Sequence, residues 1–312
     1  MLGGLDNTQE VITRKRCVLA FLPLLVLSPP VSAQNAAQPP GDRTVVIQPF
    51  RVLTSSRCYD PSVSPDGRLV AFATRIEGKD QMWTVPFAAS DARWKPLTPT
   101  DFPYNTIHPT WSPDGRSIAF FARGSGIWRT FAPAAGLKQI TNNALRDGYP
   151  RWFPDGRRLA FTRVVPGKTG GDIWMIDLDS GTERQLTSDP ADEGASTISP
   201  DGRHLSFSSD RSGQTDLWIL PLAEGEVAMR QFTTDGGRGP AWSPNGQWIA
   251  YGCPVVPTRY ALCLRAVGGG PVIQVTDGTA NDFNPSWSPD GKSIVVSQNS
   301  GLAVVDVTSV VK

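Results

Sequence analysis

The chain has 312 residues, and its 30 basic and 29 acidic side chains give a formal net charge of +1 at pH 7. With this balance the protein has no overall charge that would attract nucleic acid, anionic membranes or acidic polymers. The hydrophobic content of 39%, with 28 prolines and 30 glycines, is typical of a turn-rich all-β protein.

The N-terminal segment has the three parts of a secretory signal peptide. Basic residues 14–16 precede an apolar run over residues 17–27, and Val31-Ser32-Ala33 forms a small-x-small end. We therefore predict a signal peptide over 1–33, cleavage after Ala33, and a periplasmic or secreted protein that is not an integral membrane protein. A permanent anchor is disfavoured because crossing a bilayer takes about 20 apolar residues. Residues 34–43 would be a short linker.

One motif recurs six times through the rest of the chain. The copies begin at Pro61, Pro109, Pro150, Ser196, Pro240 and Pro285, and the third reads PRWFPDGRRLAF. Their spacing of about 41 to 48 residues is typical of a repeat architecture. In each copy Pro-Asp-Gly or Pro-Asn-Gly supplies turn chemistry between two apolar strands, so we interpret these aspartates as turn residues.

Each repeat continues with a third strand centred on Asp-Ile-Trp or a variant, and a fourth strand ending in Leu-Thr or a variant. Four short antiparallel strands in this length are the content of one propeller blade. The sequence therefore predicts an all-β fold, a six-bladed β-propeller of four-stranded antiparallel blades, over residues 44–312. Eight of the ten tryptophans occupy two repeat positions, and we interpret them as packing between blades.

The sixth repeat lacks a fourth strand, whereas residues 45–54 carry the same Val-Leu-Thr ending ahead of the first repeat. We predict that this N-terminal strand completes the last blade and closes the ring, because closure removes exposed sheet edges.

Cys263 stands where other repeats place the third-strand tryptophan, and Cys253 lies on the preceding strand. In the oxidising compartment that the signal peptide implies, we predict a disulfide between Cys253 and Cys263. Two reduced buried thiols are the alternative. Of the three cysteines that remain after the predicted cleavage, Cys58 would then be the free one.

Repeats of the form Pro-x-Trp-Ser-Pro-Asp-Gly, followed by Asp-Ile-Trp and Leu-Thr, resemble the TolB-type β-propeller repeat over residues 45–307. The resemblance implies a propeller like that of the Tol-Pal envelope system, which offers its surface to the lipoprotein Pal. TolB proteins place an α/β domain between signal peptide and propeller, and here only residues 34–43 separate the two. We therefore carry over the propeller alone. The same repeat occurs beside prolyl-oligopeptidase-like hydrolase domains, so fold does not by itself assign function.

The sequence contains no Gly-x-Ser-x-Gly elbow, no His-Glu-x-x-His motif and only two histidines. We therefore predict no catalytic residues, no metal site and no cofactor, although carboxylates in the channel would also suit a cation such as calcium.

The loops leading from each fourth strand into the next first strand converge on one mouth of a propeller channel, where a ligand would bind. They carry the binding candidates Tyr59, Asp60, Tyr104, Asn105, His108, Arg146, Asp147, Tyr149, Asp192, Glu193, Arg238, Asn281, Asp282 and Asn284. We predict a non-catalytic scaffold that binds an envelope protein or peptide. One alternative is a carbohydrate-active or peptidase-associated propeller acting on a small ligand or glycan. The simplest alternative is a water-filled polar channel with no specific ligand.

Overall fold

The computed structural model describes residues 43–48, 50–54, 57–88, 94–131, 135–142, 146–299 and 301–311. The predicted signal peptide, and all but the last residue of the predicted linker, lie outside the described residues. The described chain forms six β-sheets and a single-turn 3-10 helix at Glu226–Ala228. None of the described helical structure is long and apolar enough to cross a membrane.

The strands follow the repeats. The chain opens with β1 (Arg43–Val45) and β2 (Phe50–Thr54). Blade 1 contains β3 (Cys58–Val63), β4 (Leu69–Ile76), β5 (Lys79–Pro86) and β6 (Lys95–Pro96). Blade 2 contains β7 (Thr106–Trp111), β8 (Ser117–Ala122), β9 (Gly126–Phe131) and β10 (Ala135–Gln139). Blade 3 contains β11 (Arg146–Trp152), β12 (Arg158–Val164), β13 (Asp172–Asp177) and β14 (Glu183–Gln185).

The second half continues in the same way. Blade 4 contains β15 (Glu193–Ile198), β16 (His204–Ser209), β17 (Asp216–Pro221) and β18 (Arg230–Gln231). Blade 5 contains β19 (Arg238–Trp242), β20 (Trp248–Val256), β21 (Arg259–Ala266) and β22 (Val272–Gln274). Blade 6 contains β23 (Phe283–Trp287), β24 (Ser293–Gln298) and β25 (Gly301–Asp306). The first strands of successive blades contact one another around the channel.

The ring closes as predicted, with one refinement. Strand β2 pairs antiparallel with β25 and is the fourth strand of blade 6. Strand β1, by contrast, pairs in parallel with β22 and adds a fifth strand to blade 5. The N-terminal segment predicted as one strand over residues 45–54 is therefore divided between two blades, and blade 5 departs from the predicted four strands.

In blades 1 to 5 the Leu-Thr motif lies slightly later than predicted, just after the fourth strand, whereas in blade 6 it ends β2. Its threonine hydroxyl accepts the N–H of the third strand at the same place in five blades, and the pairs are Ile127 with Thr141, Ile173 with Thr187, Leu217 with Thr233, Leu262 with Thr276 and Leu302 with Thr54. Thr54 makes this bond from the N-terminal strand, so the sequence pattern that indicated closure has a direct hydrogen-bonding cause.

The Asp-Gly turns are structural, as predicted. Asp114 accepts the Ser112 hydroxyl at 2.6 Å and the Arg116 N–H at 3.0 Å, and Gly115 adopts a φ of 69°. The Ser112 bond, followed by the backbone bond, lowers the pKa of Asp114. The carboxylate is thus engaged inside its own turn.

Among the described residues the hydrophobic core forms six clusters, and each combines residues of two neighbouring blades. The cluster between blades 6 and 1 contains Leu53 of β2 beside Leu302 and Phe72. Tryptophans bridge blades as predicted: the indole N–H of Trp111 donates to Ser62 O at 3.1 Å, and that of Trp152 donates to Thr110 O at 3.1 Å.

The predicted disulfide joins Cys253 of β20 to Cys263 of β21, and Cys58 is free and buried. The two cysteines are diagonal neighbours, because Cys253 pairs with Ala261 and Cys263 pairs with Tyr251. Cys263 replaces the tryptophan that pairs with an aromatic residue in blades 1 to 4, for example Trp128 with Phe120. The crosslink therefore occupies a packing position.

Reducing this disulfide is expected to lower the free energy of unfolding by about 2 to 3 kcal/mol, the loop-entropy value for so short a loop. Urea unfolding with and without reductant measures the difference. A Cys253→Ala/Cys263→Ala variant is the control, since it should unfold at the same urea concentration under both conditions. An equal shift of wild type and variant by reductant would contradict the prediction.

Candidate functional site

The channel mouth is built around six equivalent residues, one in the first strand of each blade. They directly precede the first residue of each repeat, and they are Asp60, His108, Tyr149, Ala195, Gly239 and Asn284. All six have φ between 47° and 58°, and each sits where a β-bulge shifts the register with the second strand. Bulges of this kind redirect a side chain, and left-handed backbone at a non-glycine residue is strained. We call these residues the mouth ring.

Four members of the mouth ring form a connected chain of contacts. Asn284 Nδ2 donates to Asp60 Oδ1 at 2.6 Å, and His108 Nε2 lies 3.3 Å from Asp60 Oδ2. The imidazole of His108 stacks on the Tyr149 ring with centroids 3.9 Å apart. Burial lowers the pKa of His108 more than Asp60 raises it, so the imidazole is neutral at neutral pH.

The other two members are small, and they leave space. A cavity of about 420 Å³ opens beside Ala195 and Gly239. Its lining consists of Tyr59, Tyr149, Asp192, Gly194, Ala195, Ser208, Asp210, Thr215, Arg238, Gly239, Phe283, Asn284 and Ser297. The cavity therefore brings together three aromatic rings, one guanidinium and two carboxylates at the end of the channel. We call it the mouth cavity.

Five of the predicted binding candidates line the mouth cavity: Tyr59, Tyr149, Asp192, Arg238 and Asn284. Asp60 and His108 adjoin it through the mouth ring. Tyr104 instead packs against Phe102 and Trp128. Arg146 is exposed and outside the cavity lining.

The two predicted asparagines that lie outside the cavity support backbone. Asn105 Oδ1 accepts the N–H of Asp80 at 2.8 Å, and Asn281 Oδ1 accepts the N–H of Tyr260 at 2.9 Å.

Three predicted carboxylates are buried inside the blades and not at the mouth. Asp147 accepts two hydrogen bonds from Arg163, at 2.7 and 2.8 Å. Asp282 accepts from Thr276 at 2.6 Å and from Gln298 at 2.7 Å. Glu193 contacts Thr187 and Arg211. Their side chains connect neighbouring parts of the blades, and none of the three lines the mouth cavity.

We expect Glu193 to make the stability of the protein depend on pH. Burial raises its pKa from an ordinary 4.5 to about 7, although Thr187 and Arg211 oppose the rise and the nearby Asp172 and Glu226 add to it. Between these values the folded protein holds a proton that the unfolded chain has released, so the free energy of unfolding falls as pH rises. The expected fall is on the order of 3 kcal/mol from about pH 4.5 to about pH 7.

The Glu193→Gln variant tests this expectation, because glutamine keeps an acceptor for Arg211 but has no titrating proton. The difference in unfolding free energy between wild type and variant, measured by urea denaturation, should change steadily across that pH window. Glu224→Gln is the control at an exposed position. Parallel pH profiles for wild type and Glu193→Gln would contradict the assigned pKa.

Sequence reasoning missed several residues of the mouth cavity. Asp210 and Thr215 lie in the loop between the second and third strands of blade 4, and these loops reach the same end of the channel. Ala195 and Gly239 carry no functional group, and they matter because larger residues hold the equivalent positions of other blades. Aligning the residue before each repeat would have revealed both.

The fold and the mouth cavity define the class of the protein: a closed six-bladed β-propeller with a polar and aromatic cavity at one end of its channel. A family model described as the TolB beta propeller domain matches residues 100–305, which is more than half of the chain. The chain therefore belongs to the TolB β-propeller family.

Solved structures share the fold. A putative TolB from Agrobacterium tumefaciens superimposes with a TM-score of 0.63 at 24% identity, covering 83% of this chain and 90% of that one. A gluconolactonase from Xanthomonas campestris gives a TM-score of 0.65 at 14% identity, covering 83% and 89%. At these identities the likeness shows the fold alone, and the fold is shared by an enzyme.

Among curated proteins, the uncharacterized peptidase YuxL of Bacillus subtilis (strain 168) is 43% identical over 63 residues. This match covers 20% of the chain and only 9% of the relative's length. Within the described residues, no group of three or more His, Cys, Asp or Glu side chains is arranged to hold a metal ion.

Proposed function

We propose that this protein is a non-catalytic binding module of the cell envelope, and that its mouth cavity takes a peptide segment of an envelope protein. The observation that carries the proposal is the lining of the mouth cavity, which combines Tyr59, Tyr149 and Phe283 with one cationic and two anionic side chains. Aromatic and arginine side chains at the centre of a cleft are the groups that contribute most to protein recognition.

The charges of the mouth cavity suit a peptide in particular. Arg238 is exposed and lies over the Tyr260 ring at 5.6 Å, so its guanidinium is oriented and accessible to a carboxylate. Asp192 and Asp210 are exposed and belong to blade 4, next to the blade that carries Arg238. A segment with an acidic group and a basic group can therefore pair with both. The signal peptide predicted from residues 1–33 and the family membership support action in the periplasm or outside the cell.

Ala195→Tyr provides a direct test, because it fills the cavity with little change to the backbone. Tyr149 occupies the equivalent position of blade 3 with a φ of 51°, against 47° for Ala195. Gly239 is less suitable, since a Cβ there would lie 3.1 Å from Asn284 Oδ1. The Ala195→Tyr variant should fold with an unfolding free energy within about 1 kcal/mol of wild type.

The protein is used as bait on a detergent-solubilised cell envelope, and the retained proteins are identified by mass spectrometry. Wild type should retain one envelope protein that Ala195→Tyr and Arg238→Glu do not. Arg116→Glu makes the same charge change in an Asp-Gly turn at the opposite end of the first strand, and it should bind like wild type. With the purified partner, Ala195→Tyr should raise the dissociation constant at least about tenfold.

Two results would overturn the proposal. One is equal retention of the partner by wild type and the cavity variants. The other is turnover of an oligosaccharide or peptide by the purified protein that Ala195→Tyr abolishes, which would make the mouth cavity an active site.

A further inference from the structure

A second layer of residues lines the channel below the mouth ring. It consists of the residues two positions later in each first strand, which are Ser62, Thr110, Arg151, Thr197, Ala241 and Ser286. All six line a second cavity of about 250 Å³, which we call the lower chamber. Every blade contributes to this chamber, so it lies on the channel axis.

Arg151 is the exception in this layer, where the other blades place small residues. Its Nη1 donates to Pro150 O at 2.9 Å. No carboxylate oxygen of the described residues lies within 4.0 Å of its guanidinium. Burial lowers the pKa of Arg151, and the carboxylate of Asp60 offsets only part of that effect. A guanidinium nevertheless stays charged in proteins, so the lower chamber contains a cation.

The carboxylate of Asp60 is already engaged in the mouth ring. Its Oδ1 accepts from Asn284 and its Oδ2 faces His108. The rest of the chamber lining carries no charged side chain, and it consists of Pro61, Pro109, Ile198, Pro200, Pro240, Trp242, Ser243, Pro244, Pro285 and Trp287. The positive charge of Arg151 therefore remains available to a ligand in the chamber.

The hydroxyl groups of the same layer supply hydrogen-bond donors. Ser62 Oγ accepts the Trp111 N–H at 3.3 Å, and Ser286 Oγ accepts the Val63 N–H at 3.0 Å. Because each of these oxygens already accepts a backbone proton, its own hydroxyl proton is free to point into the chamber. Thr110 and Thr197 line the chamber as well. A single guanidinium surrounded by hydroxyl donors is suited to an oxyanion.

We propose that the lower chamber binds a tetrahedral oxyanion, phosphate or sulfate, held by the Arg151 guanidinium and the hydroxyls of Ser62, Thr110, Thr197 and Ser286. The chamber is large enough for such an ion together with several waters, since each water takes up about 30 Å³ in the liquid. Charge-assisted bonds from Arg151 attract the anion, and the hydroxyls replace part of its hydration. No residue lines both the lower chamber and the mouth cavity, so the proposed site is distinct from that cavity.

Titration calorimetry of the full-length chain with sodium phosphate and with sodium sulfate tests the proposal, with sodium chloride at the same ionic strength as reference. Each oxyanion should bind saturably at one site per chain, and chloride should not. Arg151→Gln should raise the dissociation constant by about tenfold to a hundredfold. Arg146→Gln removes an exposed arginine from the same strand and should leave it unchanged. Ala195→Tyr should also leave it unchanged, which separates this site from the mouth cavity.

A crystal soaked in selenate gives a readout that requires no variant. An anomalous selenium peak in the lower chamber beside Arg151 would support the proposal, and peaks confined to the outer surface would overturn it. Absence of saturable binding to wild type, or equal binding by Arg151→Gln, would also overturn it. If Arg151→Gln does not fold, Arg151→Lys is used, and it should bind with intermediate affinity because it keeps the charge without the planar fork.

Discussion

Replacing Arg163 with methionine is expected to lower the free energy of unfolding by about 3 to 5 kcal/mol, because it removes the cation from a buried ion pair. The side chain of Arg163 is 4% exposed and that of Asp147 is fully buried. The guanidinium makes two parallel bonds to Asp147 and two more to Glu183, at 2.5 and 3.0 Å. Burial alone would lower the pKa of Arg163, but the hydrogen bonds to Asp147 and Glu183 raise it.

Methionine has an unbranched apolar side chain like the stem of Arg163, and it keeps much of the contact with Phe161 and Trp174. The measured loss of stability therefore reflects mainly the loss of the charge. Arg158→Met is a matched control on the same strand, since its partner Asp155 is 33% exposed and Arg158 itself is 36% exposed. That pair should contribute no more than about 1 kcal/mol. Urea unfolding of the two variants at neutral pH measures the contrast.

A third variant tests whether the unpaired charge of Asp147 causes the loss of stability. Arg163→Met/Asp147→Asn removes both charges, and it should recover a substantial part of the stability lost in Arg163→Met. Similar losses in Arg163→Met and Arg158→Met, or no recovery in the double variant, would show that this ion pair is not what stabilises blade 3.

The fold was predictable from the sequence because the same turn and strand pattern, weak by itself, recurs six times. One Ser-Pro-Asp-Gly turn indicates only a hairpin, whereas six turns at regular spacing require six equivalent blades. The Leu-Thr motif was informative for the same reason: Thr54 is recognisable as part of blade 6 because it matches Thr141 and Thr187. Strand β1 was missed because no other repeat has an equivalent segment.

The candidate site was only partly predictable. Whether a side chain reaches the mouth cavity depends on where it points, and its place in the sequence does not give that direction. Asp192 and Glu193 are adjacent in sequence, yet one is exposed at the mouth cavity and the other is buried against Arg211. Asp192 lies in the loop just before β15, whereas Glu193 is the first residue of that strand and its side chain is buried. Position in a loop alone therefore could not separate the carboxylates that face the mouth cavity from those that are buried in the blades. It also overlooked Arg151, which lies within a strand.

The largest effect is expected from removing β2, because this strand closes the ring. A chain beginning at residue 55 lacks β2, and it should lose its cooperative thermal transition and aggregate. Leu53 is 1% exposed in the cluster between blades 6 and 1, and truncating one buried leucine costs about 2 to 5 kcal/mol. The backbone bonds to β25 and the Thr54 bond add to this loss, which then approaches the whole stability of a typical domain.

A chain beginning at residue 50 is the control, because it lacks β1 and keeps β2. It loses three parallel residue pairs with β22 and the Arg43 bond to Asp235 at 2.9 Å. We expect a cooperative transition that is weakened by about 1 to 3 kcal/mol. Circular dichroism melts and size-exclusion chromatography compare the two chains with the full-length protein. Adding a synthetic peptide of residues 46–56 should restore the transition of the shorter chain, since the open edge of β25 can pair with a strand supplied from outside. If both truncated chains melt at the same temperature, blade 6 is stable without its fourth strand, and ring closure by β2 does not determine the stability of the propeller.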